Sequence, residues 1–485
     1  MAAATQAPGP LRAGVGRADI TDYDAGPVED PLYAKALVLS DGATTAALVT
    51  VDAVAIGEIG RIGKDYLPTV RRRLQAELGI PPEAVFVNAS HCHGVVCADV
   101  AGRTVQAVAE AVRGLEPVKA GAGCGHEDRI MQNRRLRLRS GREADVRHAY
   151  SLPPDDEVAG IGPVDPQIGI LRLDRSDGRP LAVVFNFACH PIQGVPGGGN
   201  TADLSGFASA AVETALGHGA VAFFIQGCGG DINPVWYKDV DHPRDAETLG
   251  NLLGLSVLRA LPAIAAETPG PLRIVREVLR LPRADLRPTI AALEQEQSRL
   301  LQSLQGTSIN LKTFLHLSAR YGLDPGFPSY YSHAYLHQHA QGRHDLTRLD
   351  SRNREQLQAY RHNIHTMERL TRLQANVDLL RMHQAQSEAV GFSPLEAEIV
   401  GLRVGQFVLL GFPGELSVQI GLNIKSASPH EFTFVAGCSN GYIYYAPTAE
   451  QLQNRGGAQE DSDCLLAAEW QGLFEARTAE VLGRL

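Results

Sequence analysis

Two histidines one residue apart, His91 and His93, close the run Val85-Phe86-Val87-Asn88-Ala89-Ser90-His91-Cys92-His93-Gly94. The same event, an apolar run ending in a residue of metal-binding type, recurs further along the chain. Leu181 to Phe187 leads into Ala188-Cys189-His190-Pro191, and Phe407 to Leu410 into Gly411-Phe412-Pro413-Gly414-Glu415. Phe432 to Ala436 leads into Gly437-Cys438-Ser439-Asn440-Gly441-Tyr442-Ile443-Tyr444-Tyr445. Each taken singly has an ordinary reading. A histidine after a strand is more often a hydrogen-bonded structural residue, and an acid after Pro-Gly is favoured in the first turn of a helix by the dipole. Together they offer two imidazoles, a carboxylate and a phenol, a donor set that suits Zn²⁺ with one position open for water. Water on zinc is acidified from a pKa of about 15.7 to about 7, so the chemistry such a set points to is hydrolysis near neutral pH. His93 is placed to donate to a developing oxyanion or to protonate a leaving amine.

These residues need a scaffold that brings strand ends together. Val85 to Ala89 is apolar and rich in β-branched and aromatic side chains after the Pro81-Pro82 break, which predicts a strand. Open α/β sheets carry their chemistry outside the carboxyl ends of their strands. Residues two apart share a face of an extended chain, so His91 and His93 are expected to line one pocket. Earlier strands are predicted at 11–21, 32–39 and 46–52, a helix at 62–78 from the spacing of Ile62, Tyr66, Val70, Leu74 and Leu78, and a helix of small residues at 100–112. Residues 128–160 are polar with little apolar periodicity and read as a loop over the site. Strands at 168–173, 220–225 and 397–404, and helices at 206–216, 246–261 and 462–482, complete an α/β chain with a mixed sheet.

The texture changes between 285 and 390, where two helical patterns flank the His- and Tyr-rich connector Tyr330 to His344. This segment reads as a helical insertion or lid in one catalytic domain, 1–284 with 391–485. Its histidines, His333, His337, His339 and His344, raise a second metal cluster, but loop histidines without flanking carboxylates usually face solvent.

The 485 residues are 44% apolar and 20% charged with a net charge of −9 and no long block of one sign, which points away from nucleic acid and from an anionic membrane surface. No apolar run is long enough to span a bilayer, and the first residues lack a signal-peptide pattern, so a cytoplasmic protein acting on a small molecule is expected. A homo-oligomer stays open. The seven cysteines form no C-x-x-C pair and read as reduced, packed thiols rather than ligands.

Six ordered motifs, Ser90-His91-Cys92-His93-Gly94, Asn133-Arg134, Ala188-Cys189-His190-Pro191, Gly230-Asp231-Ile232-Asn233-Pro234, Pro413-Gly414-Glu415 and Asn440 to Tyr445, resemble those of the neutral/alkaline ceramidase family. That family's members are zinc amidases that cleave the N-acyl bond of ceramide. The resemblance implies His91, His190, Glu415 and Tyr445 as zinc ligands, with Tyr442 or Tyr444 as alternatives to Tyr445. It further implies His93 and Arg134 as groups that polarise or hold the carbonyl and Asp231 as a supporting carboxylate. Where the family has a serine this chain has Asn233, which can donate a hydrogen bond but cannot act as a nucleophile. Gly456-Gly457-Ala458 replaces the family's Tyr-Glu, and residues 285–390 match nothing in it. The resemblance therefore implies the metal chemistry more strongly than it implies ceramide. The expectation is a zinc-dependent amidohydrolase, with an esterase, lactonase or carbohydrate deacetylase as the alternative and a non-catalytic binding protein as the third reading. A nucleophilic serine is disfavoured, since neither Ser90 nor Ser205 lies in a Gly-x-Ser-x-Gly elbow.

Overall fold

The computed structural model describes residues 9–146, 152–194, 200–237, 239, 241–242, 244–267 and 270–485. Two sheets stacked face to face form its centre. The larger has eight strands in the order Val221–Gln226, Pro180–Phe187, Gln167–Arg175, Glu116–His126, Arg12–Asp19, Tyr33–Ser40, Thr45–Val51 and Val85–Ala89. Its two outermost pairs are parallel and the pairs between them antiparallel, which makes the sheet mixed. The smaller sheet runs Leu272–Leu281, Leu395–Val404, Phe407–Gly411 and Phe432–Ala436, its last pair parallel.

Strands in the centre of such a stack are covered on both faces, and they read as near-continuous apolar runs for that reason. Phe86, Leu171, Val184 and Phe223 of the larger sheet meet Leu402, Phe407, Leu409 and Phe434 of the smaller one. Helices close the outer faces. Tyr66–Leu78 and Val100–Arg113 cover one half of the larger sheet, and Asp203–Leu216 and Ala246–Ala260 the other. Val418–Ala427 and Trp470–Arg484 cover the smaller sheet. The result is a four-layer α/β/β/α arrangement.

Both edges of the larger sheet converge on one asparagine. The Asn88 carboxamide donates to Gly437 O at 2.7 Å and to Ser439 Oγ at 3.1 Å, and its Oδ1 accepts the Gln226 N–H at 2.9 Å. A fully buried carboxamide must use its donors and acceptor, and here doing so ties Val85–Ala89, Val221–Gln226 and Phe432–Ala436 together at their carboxyl ends. The strands that lead into His91, His190, Glu415 and the tyrosines therefore end side by side.

Residues 128–160 are not the loop their composition suggests. Met131–Asn133 pairs with Ile232–Pro234, and Arg135–Leu138 lies between Glu143–Asp145 and Val158–Ile161 in a small sheet. Charged residues occupy these strands because Arg134 and Arg135 are buried against acids, so no apolar alternation marks them. After Leu281 the chain leaves the smaller sheet, forms the helices Arg287–Ser303, Leu311–Leu323, Ser332–Ala340 and Asp345–Ala389, and returns at Leu395 as the neighbouring antiparallel strand. The connector between its helical patterns is thus itself partly helical. His333, His337, His339 and His344 are all exposed.

Candidate metal centre

His91 follows the strand Val85–Ala89 in a left-handed conformation, φ +68°, held by its N–H on Ala53 O at 3.0 Å. The backbone there is not extended, which corrects the expectation that His91 and His93 share a face through the pleat. The left-handed turn brings them together by another route, with ring centroids 5.6 Å apart, edge to face. His190 leaves Pro180–Phe187 and donates its N–H to Ile232 O at 3.0 Å. Glu415 begins the short strand Glu415–Leu416, whose parallel partner is Tyr445–Ala446 with Glu415 opposite Tyr445. Gly230 lets the glycine-rich turn approach this strand. Its N–H reaches Leu416 O at 2.9 Å, and a Cβ there would sit 2.7 Å from Glu415 O.

His91, His190 and Glu415 are buried, and one ligand atom from each lies within 4.8 Å of the others. Both imidazoles turn Nδ1 outward onto carbonyls, His91 on Val54 O at 2.6 Å and His190 on Ile232 O at 3.0 Å. A carbonyl only accepts, so each Nδ1 carries a proton and each Nε2 of a neutral ring is an acceptor. Those two Nε2 atoms point at the same carboxylate oxygen, Glu415 Oε2, from 3.2 Å and 2.9 Å.

Burial opposes charge on His91, and the Glu415 carboxylate and the Cys438 thiol outweigh it, holding its pKa well above the ordinary value. Burial, reinforced by Arg134, presses His190 down to about 4. Burial pushes Glu415 up, and the charge favoured on His91 beside it outweighs that, holding the carboxyl well below its usual range. His190 is thus neutral, and its Nε2 lone pair faces an ionised oxygen at hydrogen-bonding distance with no proton between them. A cation shared by the three atoms resolves that clash. Outward Nδ1–H bonds to protein carbonyls are also the outer contacts that fix the tautomer of metal-ligating histidines. The donor set fits a bound metal cation on these grounds.

Two of the three candidate tyrosines adjoin Glu415, one by backbone pairing and one through its side chain. Tyr445 stands opposite it in the ladder, and the Tyr442 hydroxyl donates to Glu415 Oε1. Tyr444 turns away, its φ +65°, and its hydroxyl accepts from Gln386 at 3.1 Å. The Arg134 guanidinium sits 5.5 Å from the Tyr445 ring centroid. Arg134 is fully buried and locked. Nε donates to Glu460 Oε1 at 2.5 Å, Nη1 to Asn233 Oδ1 at 3.1 Å and Nη2 to Gly230 O. The Asn233 carboxamide is held through its oxygen, while its buried Nδ2 has no hydrogen-bond partner among the described residues. Asp231 lies one shell further out: Oδ1 accepts Val418 N–H at 2.8 Å, and Oδ2 takes Asn133 and Gln451 at 3.4 Å. Burial pushes its pKa up.

Sequence reasoning missed Glu460 and Asp461, the buried acids that receive Arg134 and Arg135. Consecutive arginines before a Gly-Ala-Gln-Glu-Asp stretch far along the chain give no local sign of pairing. Of the cysteines, Cys92, Cys189, Cys228, Cys438 and Cys464 are buried free thiols, and Cys438 Sγ reaches the outward Nδ1 of His91 at 3.6 Å rather than the Nε2 side.

No family model matches this chain, and no curated protein matches it in sequence. Solved structures do match. Neutral ceramidase from Pseudomonas aeruginosa superposes with a TM-score of 0.61 at 17% identity, over 98% of this chain and 75% of its own. A ceramidase complexed with C2 gives 0.62 at 17% identity over the same shares. The chain has the ceramidase-like fold.

Proposed function

We propose that this chain is a zinc-dependent hydrolase of an N-acyl amide bond, with His91, His190, Glu415 and Tyr445 as ligands. One observation carries the reading: two imidazoles locked with Nδ1 outward and both Nε2 aimed at one carboxylate oxygen, at the strand ends of a ceramidase-like fold. Zinc bound there would supply hydroxide near neutral pH and polarise the carbonyl under attack.

The chain's own residues supply the remainder. Arg134, fixed by Glu460, and the free Nδ2 donor of Asn233 hold the carbonyl oxygen as it gains charge. Donors of this kind need no reorganisation during reaction, and loss of one lowers kcat by roughly 10² to 10³. His93 sits half-buried beside His91 and delivers the proton to the leaving amine. Tyr442 keeps Glu415 oriented through Oε1, leaving Oε2 to the imidazoles. Asp231 braces the turn that carries Asn233 against Val418 and Asn133.

A second reading, an ester, lactone or N-acyl sugar as substrate, is favoured by the polarity of the nearby clefts. A cavity of about 900 Å³ reaches Asp231 between Arg135, Arg142, Gln451, Gln453 and Asn454. One of about 840 Å³ under the helices 287–389 is lined by Arg142, His362, His365, Arg369 and Arg372.

The deciding experiment is elemental analysis of protein purified without added metal, with His190→Ala beside it, followed by a panel of N-acyl amides and esters. About one zinc per chain, lost in the variant, and amide turnover support the proposal. Absence of zinc with none taken up on dialysis overturns it. Zinc with turnover confined to esters, lactones or N-acyl sugars, and none on other N-acyl amides, selects the second reading.

A further inference from the structure

The helix Leu311–Leu323 has two apolar stripes and one partner. Its first stripe, Phe314, Leu317 and Tyr321, faces the long helix Asp345–Ala389. Leu317 and Tyr321 pack with Leu357, the Phe314 ring stacks on Tyr360 at 4.7 Å, and the Tyr321 hydroxyl donates to Asp350 at 2.7 Å. The second stripe, Leu311, Leu315, Ala319 and Leu323, recurs every four residues and so runs along one side of the helix. It is open to solvent, with Leu311, Leu315 and Leu323 at 57%, 58% and 87% exposure. The following turn adds Tyr331 at 81%. A helix apolar on more than one side is ordinarily covered on each of them, and clustered exposed apolar side chains mark an interaction surface.

Charge identifies what covers it. The helix carries Lys312, His316 and Arg320 and no acid. Between 311 and 354 the chain has six Lys and Arg against three Asp and no Glu, within a protein of net charge −9. Two of those Asp are already engaged, Asp350 by the hydroxyls of Tyr321, Tyr335 and Ser329 and Asp345 by Arg343 and Arg348. A second copy of this face would set cation against cation.

We propose that this face docks on an anionic lipid surface. Leu311, Leu315 and Leu323 enter the boundary between headgroups and acyl chains, and Lys312, Arg320 and Arg352 meet the phosphates. Tyr330 and Tyr331 are the aromatic type that settles at headgroup depth. The contact lies on the membrane: no helix among the described residues is long and apolar enough to cross one. It departs from the expectation drawn from whole-chain charge, which averages this basic segment into a chain of net charge −9.

Flotation with vesicles of phosphatidylcholine alone and of phosphatidylcholine mixed with phosphatidylglycerol tests it, on the full chain. The wild type floats with the anionic vesicles, releases as salt rises and stays behind with the neutral ones. The double variant Leu315→Glu/Leu323→Glu binds at least about tenfold more weakly. Its circular dichroism and metal content match the wild type, since both positions are exposed. Failure of the wild type to bind either vesicle overturns the proposal, as does equal binding by the variant. Size-exclusion behaviour showing a dimer that the variant dissolves, without vesicle binding, overturns it in favour of a second copy.

Discussion

At the scale of residues, the centre depends on which nitrogen of each imidazole faces inward. Val54 O and Ile232 O decide this for His91 and His190, and neither carbonyl is identifiable from the sequence. His190→Ala is expected to leave less than about a tenth of the metal, because it removes one of only two imidazoles from the proposed four-residue donor set. His93→Gln should keep the metal and lower kcat by roughly 10² to 10⁴ with KM little changed, the range for removing a proton donor. Steady-state kinetics beside metal analysis reads both, and full turnover by His93→Gln would remove His93 from the mechanism. His91, His190 and Glu415 stood out as candidates because each follows an apolar run within a few residues. The surroundings of the tyrosines were not legible, since only the fold sets Tyr445 beside Glu415 in the ladder, puts the Tyr442 hydroxyl on Glu415 Oε1 and turns Tyr444 toward Gln386.

At the scale of elements, strand ends are held in place by few contacts. Asn88→Ala leaves the Gln226 N–H, buried between the two sheet edges, without its acceptor. The expected cost is about 1–3 kcal/mol, read by chemical unfolding, together with weaker metal retention because the strand ends lose their common anchor. A second case concerns the entry to the helix Asp203–Leu216, where Asp30 holds Thr201 and the Ala202 N–H. Burial, with Asp52 and Asp203 nearby, raises Asp30 from 3.8 to about 7. The folded chain therefore binds this proton more tightly than the unfolded chain does, and its stabilising effect is complete below the unfolded pKa and fades as pH rises through 7. Asp30→Asn has no proton to lose, so its thermal midpoint relative to wild type should climb between pH 5 and pH 8. A gap that stays flat across that range would show that Asp30 titrates normally. The regular strands and helices were readable from period, but the strands within 131–161 were not. Their inward positions hold arginines whose acids, Glu460 and Asp461, lie more than three hundred residues away.

At the scale of the whole molecule, the proposed ion would join segments from distant parts of the chain, at His91, His190 and Glu415, so its binding would appear in global stability. Chelation should lower the thermal midpoint, with about 2.7 kcal/mol lost when free metal had stood at a hundred times its Kd. Readdition of zinc should restore it, and a midpoint indifferent to chelator would mean the centre holds no ion that favours the fold. The sequence by itself determined the α/β class, the apolar strands and the residue types that end them, because strand burial and period are local properties written in consecutive side chains. It determined too that zinc-type donors were present at His91, His190 and Glu415. Only the tertiary structure decided that the two sheets stack with those strand ends adjacent, that Arg134 is locked by Glu460, and that one face of Leu311–Leu323 is left uncovered. Each of these depends on pairings between residues far apart in the chain, and sequence spacing carries no information about which distant side chain will satisfy a buried charge or cover an apolar stripe.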